Sequence, residues 1–273
     1  MTTKKKAKQT ASAQNKFAET LLKISHRFSL SKVFEDFLTM SIAACTQNYK
    51  TCVSHYEDEY LTTIVTYKDS EVRFEFPNAF AQLVSEMEDR VHSDSGNDVL
   101  GEFFEQHFAQ ERKGQIFTPY HLCKFIASVT TRKSCTDYAE HNKILSILDP
   151  ACGSGRMLLA AHEMHGPDHG YYGIDIDHTC VKMAALNLFL NGVWHSEVMC
   201  ANALLPDDFV IVYHISLLPL GIFKIEQKEQ SMLWNMHRNS FSSRTQSSRT
   251  KSEVEQNSPQ DHSYPDGTQL QIF

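Results

Sequence analysis

The run Asp149-Pro150-Ala151-Cys152-Gly153-Ser154-Gly155 concentrates the residue types best suited to holding a ligand. It follows a short apolar stretch, Ile144 to Leu148, and precedes a helical segment, Arg156 to Met164, that ends at the stop signal Gly166-Pro167. A strand ending in Asp149 delivers a carboxylate to a sheet edge, and Gly153 and Gly155 remove side chains where a ligand must approach backbone closely. The helix beyond presents N–H groups without intrahelical partners to a polar or anionic group. A tight strand-to-helix turn with no ligand fits the same glycine pair. A second carboxylate, Asp175, closes the run Tyr171-Tyr172-Gly173-Ile174, the place where a doubly wound nucleotide site puts an acid for ribose hydroxyls. Asp175 fits equally well as a helix cap before Asp177. The position three after Gly155 is Leu158 rather than a third glycine, which disfavours NAD or FAD, and no Walker-type G-x-x-x-x-G-K-[ST] run exists.

Other reactive residues carry less. His162, His165, Asp168 and His169 cluster at the end of the helix after the glycine turn. Their spacing is not that of a metalloprotease, and histidines near a helix C-terminus interact favourably with its dipole, so no metal site is expected. The seven cysteines, Cys45, Cys52, Cys123, Cys135, Cys152, Cys180 and Cys200, include no C-x-x-C pair and read as reduced thiols. A net charge of −7 gives no global reason for unaided nucleic-acid binding, and Lys4-Lys5-Lys6 reads as a solvated end. No apolar run approaches the roughly 18 residues that span a bilayer, and Met1 to Gln14 lack the apolar centre of a signal peptide. These features point to a cytoplasmic protein with no membrane partner.

The elements that must position these residues are legible as periodicity. Phe17 to Thr46 fits two helices broken around Ser29 to Ser31, followed by helices over about Asn78 to Met87 and Asp98 to Ala109. Past Gly114 the pattern becomes strand, glycine turn, helix, strand Tyr171 to Asp175, helix Thr179 to Leu190, and two further strands over Val198 to Ala201 and Phe209 to Ile215. Such alternation predicts a parallel, doubly wound α/β sheet with ligands beyond the carboxyl ends of its strands. The organisation read from this is a tail over 1–16, a helical region over 17–112, a Rossmann-like domain over 113–225, and a polar, disordered tail over 226–273.

Gly114-Gln115-Ile116-Phe117-Thr118-Pro119, then Asp149 to Gly155, then Gly173-Ile174-Asp175, in that order, resemble the cofactor-binding half of N6-adenine DNA methylases, particularly modification subunits of type I restriction systems. Asp98-Val99-Leu100-Gly101-Glu102-Phe103-Phe104 resembles the helix leading into that motif set, so the resemblance covers about Asp98 to Leu204. It implies a Rossmann-like S-adenosylmethionine-dependent methyltransferase sheet, here incomplete, preceded by an N-terminal helical region. It also implies S-adenosylmethionine as cofactor, DNA as substrate and a specificity or companion methylase subunit as partner. Carried over by position, Phe117, Thr118 and Pro119 contact the amino-acid end of the cofactor. Asp149 and the run Ala151, Gly153, Ser154 and Gly155 lie beside that end, and Asp175 takes the ribose hydroxyls. Asn202 lies near the adenine ring or simply shapes a turn.

The pattern then breaks. The family places Asn or Asp, Pro-Pro and an aromatic residue after the fourth strand, where they accept hydrogen bonds from the adenine amine and stack on a flipped base. The corresponding stretch, Tyr213 to Phe223, contains no such tetrapeptide. Pro219 and Phe223 read as loop and core residues and His214 as a strand-end histidine, so no catalytic residue is assigned. Three readings stay open: a shortened family member, a chain whose site a partner completes, and a disrupted reading frame. The function expected is methyl transfer to the N6 amine of adenine in DNA, the alternative being an inactive or accessory subunit that binds cofactor or DNA.

Overall fold

The computed structural model describes residues 16–46, 53–91, 96–108, 115–130, 144–205, 208–236, 238 and 270–272. The expectations for Lys4-Lys5-Lys6 and for Ser240 to Gly267 fall outside them. Five helices form the N-terminal unit: α1 (Lys16–Ile24), α2 (Leu30–Ala44), α3 (Val53–Ile64), α4 (Ser70–Arg90) and α5 (Val99–Phe108). The break between α1 and α2 falls earlier than periodicity places it. Ser29 is the N-cap of α2, its hydroxyl accepting from Lys32 N at 3.3 Å, so the first residues after it are already helical. An aromatic core joins these helices: Phe103 of α5 lies 5.5 Å from Phe17 of α1 and 5.1 Å from Phe34 of α2, ring centre to ring centre.

Six strands follow: β1 (Ser146–Asp149), β2 (Gly170–Asp175), β3 (Ser196–Cys200), β4 (Ile211–Leu217), β5 (Leu220–Lys224) and β6 (Leu270–Ile272). They lie in one sheet in the order β5-β4-β3-β2-β1-β6. Helix α7 (Arg156–His165) connects β1 to β2 and α8 (His178–Leu190) connects β2 to β3, while α6 (Tyr120–Thr130) packs against α7. Alternate residues serve opposite faces: Ile147, Tyr171 and Val198 join the core under the helices, whereas Tyr172, Ile174, Met199 and Val212 face the other way.

The expectation of a parallel sheet holds for β1, β2 and β3 and fails for β4 and β5; β6, in the segment read from sequence as a disordered tail, also pairs parallel, with β1. β4 runs antiparallel to β3, with Cys200 opposite Ile211 and Ser196 opposite Ile215, and β5 returns antiparallel to β4. The physical reason is chain length: residues 201–210 are fewer than the dozen or so that a parallel crossover needs, so the chain turns back on itself. In consequence the β4–β5 turn lies at the end of the sheet where β3 begins, opposite the loops that leave β1, β2 and β3.

Ordered packing also continues past residue 225, where the sequence reading begins its disordered tail. Residues 232–236 are helical, and Leu233 is buried against the second face of the sheet. Buried Glu197 of β3 holds that helix start, accepting from Ser231 Oγ at 3.0 Å and from the N–H groups of Met232 and Leu233 at 3.1 Å. Among the described residues no helix is long and apolar enough to cross a membrane.

Candidate functional site

Pro150 has no N–H to continue the ladder beyond β1, and the turn that follows is tied to the neighbouring strand by Cys152 N donating to Ile174 O at 2.9 Å. Gly153 and Gly155 both have left-handed backbones, with φ of +53° and +84°. A β-carbon at Gly153 would run into the Phe117 ring, and one at Gly155 would stand 3.3 Å from Ala184 Cβ of α8. One glycine therefore admits the Phe117 segment, and the other lets α7 start close against α8.

Asp149, at the end of β1, is 8% exposed and accepts a hydrogen bond from Ala151 N at 3.1 Å, its single one among the described residues. Burial pushes its carboxyl up to about 6; the Ala151 N–H opposes that shift and the charge of Asp175 adds to it. Asp175 Oδ2 accepts from Gly153 N and its Oδ1 from Asp177 N, both at 2.8 Å. The cap of α8 is Asp177, whose side chain accepts from Thr179 N at 2.8 Å. Asp175 is thus bonded to the glycine turn, and each of its oxygens keeps a further lone pair for a ligand.

A cleft of about 400 Å³ opens beyond the strand ends, a volume within the usual range for small-molecule sites. Phe117, Ala151, Gly153, Asp175 and Asn202 line it, together with Gln115, Pro150 and Cys180, and among the described residues no lysine or arginine does. Five of the ten residues singled out from sequence therefore meet at one cavity. The other five lie around it. Asp149 is at the strand end that leads into the turn and does not line the cavity. Thr118 offers its carbonyl to Arg156 Nη1 at 3.2 Å, and Pro119 starts α6, its carbonyl accepting from Cys123 N at 3.0 Å. Ser154 and Gly155 face inward, away from the cavity. Asn202 combines the two readings made of it: Oδ1 accepts from Leu204 N at 3.0 Å, which shapes the turn, while the residue lines the cleft.

Sequence reasoning missed a buried polar hub behind the turn. Asp98, 2% exposed, accepts from Gly101 N at 2.8 Å and Asn187 Nδ2 at 2.7 Å on Oδ1, and from Ser154 Oγ at 2.5 Å and Arg156 Nε at 2.7 Å on Oδ2. Burial disfavours the charge of Arg156, and Asp98 with Glu105 outweighs that, holding the guanidinium above the ordinary arginine range. Two signals were present in the sequence: an N-cap residue type just ahead of α5, and the lone amide of Asn187 inside the apolar run Met183 to Leu190.

The remaining candidates serve elsewhere. His162 packs on Tyr171 with ring centres 5.3 Å apart, and His169 Nδ1 accepts from Leu145 N at 3.3 Å. His214 is in the middle of β4 rather than at its end, Nδ1 3.6 Å from Glu197 Oε1, and Pro219 is in the turn at the far end of the sheet.

With this geometry in place, residues 95–240 match the model of a family described as N-6 DNA Methylase. The methylase subunit of the type I restriction enzyme MjaVIII from Methanocaldococcus jannaschii is 31% identical over 126 residues, 43% of this chain and 20% of that protein. The type II restriction enzyme and methyltransferase RM.BcgI from Heyndrickxia coagulans is 26% identical over 146 residues, 47% of this chain and 22% of its own length. The chain thus spans about a fifth of the length of these relatives. Among solved structures, a type I restriction-modification methyltransferase subunit from Streptococcus thermophilus aligns with a TM-score of 0.35 at 16% identity, covering 70% of this chain and 57% of that one.

Proposed function

The chain belongs to the N-6 DNA methylase family, and from that premise we propose that its cleft binds S-adenosylmethionine for methyl transfer to the N6 amine of adenine in DNA. The observation that carries the reading is the convergence of Phe117, the glycine turn, Asp175 and Asn202 on one cavity at the carboxyl ends of β1, β2 and β3. The residues fit the cofactor chemically. Asp175 keeps acceptor capacity for a ribose diol after bonding Gly153 and Asp177. Asn202 has its oxygen engaged and its Nδ2 available to donate toward an adenine nitrogen. With the ribose at β2 and the base toward β3, the amino-acid end falls on the β1 side, beside Ala151, Gly153 and the Phe117 ring. There Asp149 supplies negative charge for a cationic end, and Thr118 and Pro119 carry the segment that closes over it.

When bound, the cofactor supplies an electrophilic sulfonium methyl. The part of this chain's residues is to hold and orient it, which converts methyl transfer into a step between fixed partners. Isothermal titration with S-adenosylmethionine is expected to give saturable heat, and Asp175→Ala to weaken binding by about 1 to 3 kcal/mol through loss of its hydrogen bonds. Absence of binding by the unsubstituted chain, or unchanged affinity in the variant, overturns the assignment.

A second reading concerns the accepting side: a partner chain supplies the residues that receive the adenine. It is favoured by the antiparallel β4, which carries the stretch corresponding to the family tetrapeptide away from the cleft. It is also favoured by an apolar rim, since Ile116, Ile176 and Leu204 are each more than three-quarters exposed around the cavity. Transfer of a labelled methyl group to adenine-containing DNA by the isolated chain separates the readings, because the second expects binding without transfer.

A further inference from the structure

We infer that Arg156 is a positioning residue for the cofactor cleft, clamping the Phe117–Thr118 segment onto the glycine turn with the N-terminal helical region as its anchor. The inference rests on the cofactor reading above. Residues 115–119 have no regular secondary structure, so side chains must fix their place over the turn. Two pins do so. Gln115 Nε2 donates to Asp177 Oδ2 at 2.9 Å, and Arg156 Nη1 donates to the Thr118 carbonyl at 3.2 Å while its guanidinium lies 5.6 Å from the centre of the Phe117 ring. The opposite side of the same guanidinium is held by Asp98, just ahead of α5, with Oδ2 at 2.7 Å from Nε, and by Glu105 of α5, with Oε2 at 2.9 Å from Nη2.

An arginine here runs against two general preferences. Residue 156 opens α7, where the helix dipole disfavours a cation, and it is 8% exposed, where charge is costly. Its four sets of contacts compensate, and they use the planar fork in directions that a lysine ammonium cannot reach together. The arrangement extends outward along one face of α5: Glu102, between Asp98 and Glu105, pairs with Arg90 of α4 at 2.7 Å. The Arg156 side chain in this way links the helical region to the Phe117–Thr118 wall of the cleft, beside the contact of Phe104 with the Phe117 ring and the bond of Asp98 to Ser154.

Because the clamp acts on the wall beside the amino-acid end, its loss is selective. With purified full-length chain, calorimetry compares S-adenosylhomocysteine with 5′-methylthioadenosine, which keeps the adenine and ribose and lacks the amino-acid part. Arg156→Lys is expected to weaken S-adenosylhomocysteine roughly 10- to 100-fold, the range of a charge-assisted hydrogen-bond set, and to leave 5′-methylthioadenosine within about twofold. Glu105→Gln, at a position one-third exposed and tolerant of change, is expected to show the same selectivity at a few-fold loss and carries the test if Arg156→Lys does not fold. Equal weakening of both ligands, or of neither, overturns the role of Arg156. No binding of either ligand by the unsubstituted chain overturns instead the cofactor reading on which it rests.

Discussion

Asp98 and Asp149 flank the same glycine turn, one behind it and one before it, and both are buried. Asp98 meets four donors, among them a guanidinium, and each of its oxygens is bonded twice. Among the described residues Asp149 meets one backbone N–H and no cation, and its carboxyl rises to about 6. A buried acid with a full complement of partners binds elements together. A buried acid left short of them is held in place by the surrounding fold at a cost in stability, the pattern expected where a ligand is to complete the set. Within a few residues the turn therefore joins a structural side to a binding side, and the two sides should respond to mutation with opposite sign.

The largest expected effect is on the structural side. Asp98→Ala leaves the Arg156 guanidinium, the Ser154 hydroxyl and the Asn187 amide facing a void, and breaking a buried charge pair from one side costs about 3 to 5 kcal/mol. Urea denaturation near neutral pH measures it. A loss under about 1 kcal/mol would show that the aromatic core alone, rather than the hub, fixes α5 to the turn.

On the other side the sign reverses. The folded-state pKa of Asp149 is raised from 3.8 to about 6, so the fold prefers the protonated form. The stability this group permits is fully present below about 4, and it is lost as pH rises through about 6. Asp149→Asn keeps the acceptor for Ala151 N–H and removes the charge. It is expected to stabilise the chain by about 3 kcal/mol at pH 7.5 and by well under about 1 kcal/mol near pH 4, as denaturation at the two pH values would show. The same substitution is expected to weaken S-adenosylmethionine. A variant that is both more stable and an equal binder would remove Asp149 from the site.

The unequal legibility of these two acids in the sequence has a physical cause. Asp149 belongs to a run of seven neighbours whose chemistry is local, and Asp175, 22 residues after Gly153, is announced by the strand it ends. The hub joins Asp98 to Ser154, Arg156 and Asn187 across separations of 56, 58 and 89 residues, and no periodicity encodes such a meeting. Strand existence was readable for β1 to β4 from apolar runs, while the direction of β4 resided in the shortness of residues 201–210. Helix α3 was missed although Val53, Tyr56, Tyr60, Leu61 and Ile64 recur at helical spacing, because two of the five are tyrosines set among acidic and hydroxyl residues. Glu197 escaped because a buried acid in an apolar strand finds its partners, Ser231 to Leu233, only once the chain returns to the second face.

The smallest expected effect falls at the region that matches the family's catalytic position in sequence order and departs from it in space. His214 is the one basic side chain within β4, and by order along the chain it stands where an accepting group belongs. It lies instead beside Glu197, on a strand whose outgoing turn is at the opposite end of the sheet from Asp149 and Asp175. His214→Gln is therefore expected to leave the affinity for S-adenosylmethionine within about twofold, the usual range for a substitution away from a site. A larger change in calorimetry would mean that β4 communicates with the cleft after all. An unchanged affinity would agree with a cofactor site confined to the carboxyl ends of β1, β2 and β3.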